Sequence, residues 1–149
     1  MQVYLACTVR GDRGGIAAGR VICERLLQHG HDVLTTHLLA DDVEHAESSL
    51  TEVAVYRRDV EWLDACDVLV AEASGSSCGV GFEVGYVLGR AAVSGRRVVL
   101  LYDAARREAI SRLVIGNDHP HCTLFCYRSL SELSAFIDQQ FALSTESPR

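Results

Sequence analysis

No run of apolar residues in this sequence approaches 18, so no membrane-spanning helix is expected. Neither Cys-x-x-Cys nor His-x-x-x-His spacing occurs, which speaks against a zinc site, and no metal or other cofactor is expected. Basic residues are outnumbered, 14 against 20 acidic ones, for a net charge of −6. A nucleic-acid partner would need a basic stripe, and none is present. Arg10 interrupts the first apolar stretch early, so a secretory leader is not expected. Six cysteines could suggest disulfides, yet Cys7, Cys23, Cys66 and Cys78 sit within apolar elements, as small core residues do. Cys122 and Cys126 fall four apart in an extended run, roughly 13 Å from each other and too far to bridge. What remains is a reduced, cytoplasmic globular protein. Its 149 residues fit one domain, and its 48% hydrophobic content suffices for a sizeable core.

What is present centres on Cys66–Arg90. Val68-Leu69-Val70-Ala71 reads as a strand buried on both faces. The small-residue loop Ser74-Gly75-Ser76-Ser77 follows, then a helical pattern of Val80, Val84, Val87 and Leu88 interrupted by Gly79, Gly81, Gly85 and Gly89. A strand, a Gly/Ser turn and a helix form half of a βαβ unit, whose helix start offers unpaired N–H groups to an anion. Glu83 lies one turn after Gly79, roughly 5.4 Å along the axis, and its side chain leans back toward that turn. Each glycine costs a helix roughly 1 kcal/mol relative to alanine. Two readings stand: a phosphate seat at the helix tip with a carboxylate behind it, or a solvent-facing Glu on a helix whose glycines pack against the sheet.

Taken in order, the chain reads as strand (3–7), polar turn (8–15), helix (16–28) and strand (32–36). An acidic irregular stretch (41–49) and a helix (53–65) precede the central unit. A strand (97–102), a basic loop, a short helix (110–114), a strand (122–127) and an amphipathic helix (130–141) follow. Strands alternating with helices imply a single-domain α/β protein, a flavodoxin- or Rossmann-like three-layer sandwich around a five-stranded parallel sheet. The domain is expected over 1–143, with 144–149 a frayed tail. Ligands in such sheets bind at the carboxyl ends of strands near the reversal of strand order. Those ends carry Thr8-Val9-Arg10-Gly11, His37 and Ser74–Glu83. His119-Pro120-His121 reads as turn chemistry.

With these residues placed, the sequence resembles the nucleoside 2-deoxyribosyltransferase superfamily, and within it the 2′-deoxynucleoside 5′-phosphate N-hydrolases, from Tyr4 to about Phe141. Four pieces carry the resemblance: Tyr4 with Thr8-Val9-Arg10-Gly11; Thr36-His37 and the acidic loop; Asp59-Val60-Glu61-Trp62-Leu63; and Asp67–Glu72 running on to Ser77-Cys78-Gly79-Val80-Gly81-Phe82-Glu83-Val84-Gly85. Ser111 followed by Gly116 is a weaker fifth. The resemblance implies cleavage of the base–deoxyribose bond of a deoxynucleoside monophosphate, with Glu83 as nucleophile, Asp59 as general acid and Tyr4 orienting the nucleophile. It implies a phosphate cradle of Ser77, Gly79 and the Thr8, Val9, Arg10, Gly11 loop. His37 and Arg10 would contact the base. Ser111 would reach the neighbouring subunit's phosphate in a homodimer. Glu83 is then expected to stay ionised near a helix N-terminus, and Asp59 to be raised in pKa by burial beside Trp62. Without the resemblance, Asp59 would be a solvated charge among Arg57, Arg58, Glu61 and Asp64, and Tyr4 a core aromatic. Ser76 stands where relatives commonly have proline, which predicts a less rigid loop. Rival readings are a deoxyribosyltransferase that exchanges bases and a non-catalytic nucleotide sensor.

Overall fold

The computed structural model describes residues 1–142, so the tail expected at 144–149 lies outside the described residues. Five parallel strands form one sheet: β1 (Gln2–Ala6), β2 (Asp32–Val33), β3 (Val68–Glu72), β4 (Arg97–Asp103) and β5 (Cys122–Tyr127). Their order is β2-β1-β3-β4-β5. The chain steps from β1 outward to β2 and then back across β1 to β3, so strand order reverses between β1 and β3. That is the flavodoxin-like order, whose ligands bind at the reversal. Helices α1 (Ile16–Gln28), α2 (Val43–Glu47), α3 (Glu52–Ala65), α4 (Cys78–Leu88), α5 (Ala91–Ser94), α6 (Arg112–Ile115) and α7 (Leu130–Phe141) complete the described chain. None is long and apolar enough to cross a membrane.

The period of two along a strand decides which helices each face meets. Val3 and Leu5 of β1, with Val68 and Val70 of β3, pack against Ile22 and Leu26 of α1 and Leu133 and Ile137 of α7. Tyr4 and Ala6, with Leu69 and Ala71, point the other way, onto Leu63 of α3 and Val80, Val84 and Val87 of α4. Register fixes these sets side by side, with Tyr4 opposite Leu69 and Leu5 opposite Val70. Sliding one strand by a residue would exchange the faces. Tyr4 is therefore committed to the α3/α4 side, and Glu72, in step with Val68 and Val70, to the α1/α7 side.

Three local expectations are corrected. The second strand is paired only at Asp32 and Val33, not to Thr36. Thr35 turns its hydroxyl into the sheet instead, donating to the Leu5 carbonyl at 2.7 Å and accepting from the Leu5 amide at 3.0 Å. A side chain has replaced the backbone as partner, and a 3₁₀ turn, Thr36–Leu39, begins at once. The acidic stretch contains α2, which buries Val43 against Cys7 and Leu38. Cys78 is exposed, because the first position of α4 faces away from the sheet.

Candidate active site

A cavity of about 680 Å³ opens where β1 and β3 end. Its walls come from the loop after β1 (Val9, Arg10, Gly11), the loop and first turns of α4 (Ser76, Ser77, Gly79, Glu83), and α2 with α3 (Glu47, Tyr56, Arg58, Asp59). The two loops interlock by close approach. Gly75 passes so near Thr8 that a Cβ there would collide with the Thr8 hydroxyl and the Asp12 carbonyl. Gly11 has φ 101°, a conformation that glycine takes without strain. From the far side, Arg106 donates to the Ser74 carbonyl at 3.1 Å and pairs with Asp12, tying both loops to the turn that follows β4.

Glu83 and Tyr4 meet in the middle. The Tyr4 hydroxyl donates to Glu83 Oε1 at 2.6 Å across 79 residues of sequence. Parity in β1 aims the phenol at α4, and the turn from Gly79 brings the carboxylate over it. Tyr4 itself is fully buried. Burial and the Glu83 charge push its phenol well above the ordinary value, so it remains a donor at any working pH. Glu83 is pushed up to about 7, chiefly by burial and further by the Asp59 charge, while the Tyr4 hydrogen bond opposes both. Burial therefore works against the ionised carboxylate expected from the helix N-terminus. Glu83 is the sixth residue of α4, beyond the first turn where that field is strong.

Asp59 also differs from expectation. Its partner is Arg58, whose Nε lies 2.9 Å and Nη2 2.8 Å from Asp59 Oδ1. The Trp62 ring is covered by the Arg58 guanidinium, 4.9 Å from its centroid. His37 sits edge-on to Trp62 at 5.5 Å and faces Glu47 at 3.5 Å, behind the cavity wall rather than on it. Its pKa is lowered by burial first and by the Arg58 charge second, against the pull of Glu47.

At the helix tip, Ser77 caps α4 by accepting from the Gly79 amide at 3.1 Å and the Val80 amide at 3.5 Å. Thr8 is buried just behind the cradle, and among the described residues its hydroxyl has no partner. Ser76 has φ 50°, which a proline ring, fixed at about −65°, cannot adopt. The loop here thus follows a path that a proline at position 76 could not take. The glycines do not serve sheet packing, since a Cβ on Gly81 or Gly85 would meet nothing within 4 Å. Ser111 is apart from this group. It lines a neighbouring hollow of about 310 Å³ with Ser76, Ser77, Cys78, Val80 and Gly81. Arg58 and Glu47 are the site residues the sequence reading passed over. The one available signal was the i,i+4 spacing of Arg58 and Trp62.

Comparison with known proteins identifies the family and the fold. The model of the family described as nucleoside 2-deoxyribosyltransferase matches residues 3–124. A Thermofilum pendens protein named as a 2′-deoxynucleoside 5′-phosphate N-hydrolase is 37% identical over 146 residues, covering 98% of this chain and 99% of its own. The 5-hydroxymethyl-dUMP N-hydrolase of Danio rerio is 33% identical over 117 residues, 78% of each chain. Among solved structures, a CMP N-glycosidase of Clostridium botulinum superposes with a TM-score of 0.68 at 16% identity, over 94% of this chain and 99% of that one. A 2-deoxyribosyltransferase of Bacillus psychrosaccharolyticus does so at 0.56 and 15%, over 92% and 96%, and both likenesses speak to the fold. The match over most of the chain, and the near full-length identity to the archaeal relative, show that this chain belongs to the nucleoside 2-deoxyribosyltransferase family.

Proposed function

We propose that this chain hydrolyses the N-glycosidic bond of 2′-deoxynucleoside 5′-monophosphates, releasing free base and 2-deoxyribose 5-phosphate. The relatives' activities point to this class, and one observation carries it to this chain. The Glu83 carboxylate, held by Tyr4 at 2.6 Å, faces the same cavity as the capped N-terminus of α4. A phosphate docked on Ser77, Gly79 and the Thr8–Gly11 loop holds the sugar at a fixed distance from Glu83, turning binding into orientation. Glu83 attacks the anomeric carbon, and the base departs with a proton from Asp59. Water then attacks the glycosyl-enzyme, giving one proton back to Asp59 and freeing Glu83. The oxocarbenium-like state between is stabilised by the carboxylate beneath it. Arg10 lies on the wall for phosphate or base, and His37 would act on the base through Glu47 and Arg58 rather than by touch.

Incubation with deoxynucleoside monophosphates, free deoxynucleosides and a second base tests this reading. Free base should appear from the monophosphates alone. A sugar carrying the second base would mean a transferase, and binding without release a sensor.

The working unit in this reading is a homodimer in the cytoplasm. An open stripe of Gly81 and Gly85 beside exposed Phe82 and Tyr56 supports a second copy against α4. Ser111 beside the Ser77 tip supports its service to the neighbouring phosphate. Six free cysteines fit a reducing compartment. Ser111→Ala should weaken monophosphate binding, and an active monomer in sedimentation would remove the trans contact.

A further inference from the structure

Arg58 reads as exposed on sequence grounds, being one of five charges between 57 and 64 of a helical run, yet its side chain is only 22% accessible. Three contacts hold it there. Nη2 lies 2.7 Å from Glu47 Oε1 on α2, and the guanidinium lies over Trp62, one turn along α3. The same Nη2, together with Nε, grips Asp59. Both Asp59 contacts fall on Oδ1, and among the described residues Oδ2 accepts no hydrogen bond. Adjacent helix residues point about 100° apart, so Arg58 and Asp59 would diverge without an outside anchor. Glu47, whose side chain is 14% accessible, supplies that anchor from another element.

We propose that Arg58 is a positioning residue, tethering Asp59 by one oxygen so that the other faces the departing base. The inference rests on the function proposed above and extends it to a residue outside the resemblance. A carboxyl on a helix surface otherwise samples several rotamers, and an aspartate displaced by about 1 Å from the leaving nitrogen loses on the order of 10²-fold in rate. Lysine does not replace Arg58, because a single ammonium lacks the Nε–Nη2 edge that closes on Asp59 Oδ1 and the flat face that lies over Trp62.

The test compares two leaving groups. A deoxynucleoside monophosphate needs a proton on its base; a 4-nitrophenyl 2-deoxyriboside 5-phosphate does not, because 4-nitrophenolate leaves as the anion. R58Q should lose on the order of 10²-fold in kcat on the nucleotide, with KM changed by less than about threefold. On the nitrophenyl substrate the first-turnover release of 4-nitrophenolate, which reports the attack of Glu83 and needs no proton from Asp59, should stay near the wild-type rate in R58Q. E47Q, which loosens the anchor and keeps the cation, should show the same pattern at about tenfold, and stands in if R58Q does not fold. Equal losses on both substrates would mean that Arg58 does not act through Asp59. Wild-type rates for R58Q on the nucleotide would overturn the inference alone, whereas a wild-type protein that releases no base from any deoxynucleotide would overturn the parent reading and this one with it.

Discussion

Two glutamates of this chain accept a hydrogen bond from a tyrosine at almost the same distance, and they sit on opposite faces of one sheet. Tyr4 donates to Glu83 at 2.6 Å on the α3/α4 side; Tyr127 donates to Glu72 at 2.8 Å on the α1/α7 side. Burial raises the pKa of both. They differ in how many lone pairs the protein has already engaged. Glu72 is 1% exposed and also accepts from the Ser74 amide at 3.2 Å and from the Ser74 hydroxyl. Among the described residues Glu83 has one donor, on Oε1, and it lines the cavity. The same residue pair thus serves as a rivet where its valences are full and as a reagent where one is left open.

Glu83→Gln breaks the comparison most sharply. Turnover of deoxynucleoside monophosphates should fall on the order of 10⁴-fold or more, as losses of nucleophiles do, while monophosphate still binds. Stability should move the other way. Burial lifts the Glu83 pKa from 4.5 to about 7, so folding favours the protonated carboxyl. That contribution is fully present below about pH 4.5 and is lost as pH rises through about 7, leaving a burden of up to about 3 kcal/mol at pH 8. Glutamine carries no charge to bury. Urea unfolding should therefore find the variant more stable than wild type at pH 8 and little different at pH 4. Wild-type turnover would remove Glu83 from the mechanism.

Tyr4→Phe sharpens the same contrast with a smaller effect. The phenol lowers the Glu83 pKa against burial, so its loss should shift the acidic limb of kcat/KM above the wild-type limb near pH 7. The rate at pH 7 should drop by about 10–10²-fold, with recovery in part at pH 9. A profile that falls evenly at all pH values would mean that Tyr4 serves only packing.

Sequence made the sheet legible, because β-branched runs and the α1 and α7 apolar stripes state their own periods. The reagent side was legible through motif resemblance, since spacing alone left Glu83 open to an ordinary surface reading. What stayed hidden depends on contacts between distant segments. The short helix α2 exists because Val43 finds Cys7 and Leu38, a pocket made by three elements. Once α2 is formed, Glu47 can hold Arg58, and Arg58 can take Trp62 away from Asp59. Each step requires the previous one, so a charge-rich stretch with no clear period reads as loop and solvated helix.

Glu72→Gln is the smallest predicted effect and the one that separates rivet from reagent. Three donors converge on the two carboxylate oxygens: the Tyr127 hydroxyl, the Ser74 hydroxyl and the Ser74 amide. A glutamine offers one carbonyl oxygen and an NH₂ that must face a donor, in a place closed to water. The mismatch should destabilise the fold by about 1–3 kcal/mol, read as a lower urea midpoint with unchanged slope. Turnover per folded molecule should stay within about threefold of wild type, because the changed group touches no reacting atom. If Glu72→Gln instead abolished turnover and left stability alone, the two glutamates would not divide the labour as their hydrogen bonds indicate, and the chemistry would have to reach through the sheet to its α1 side.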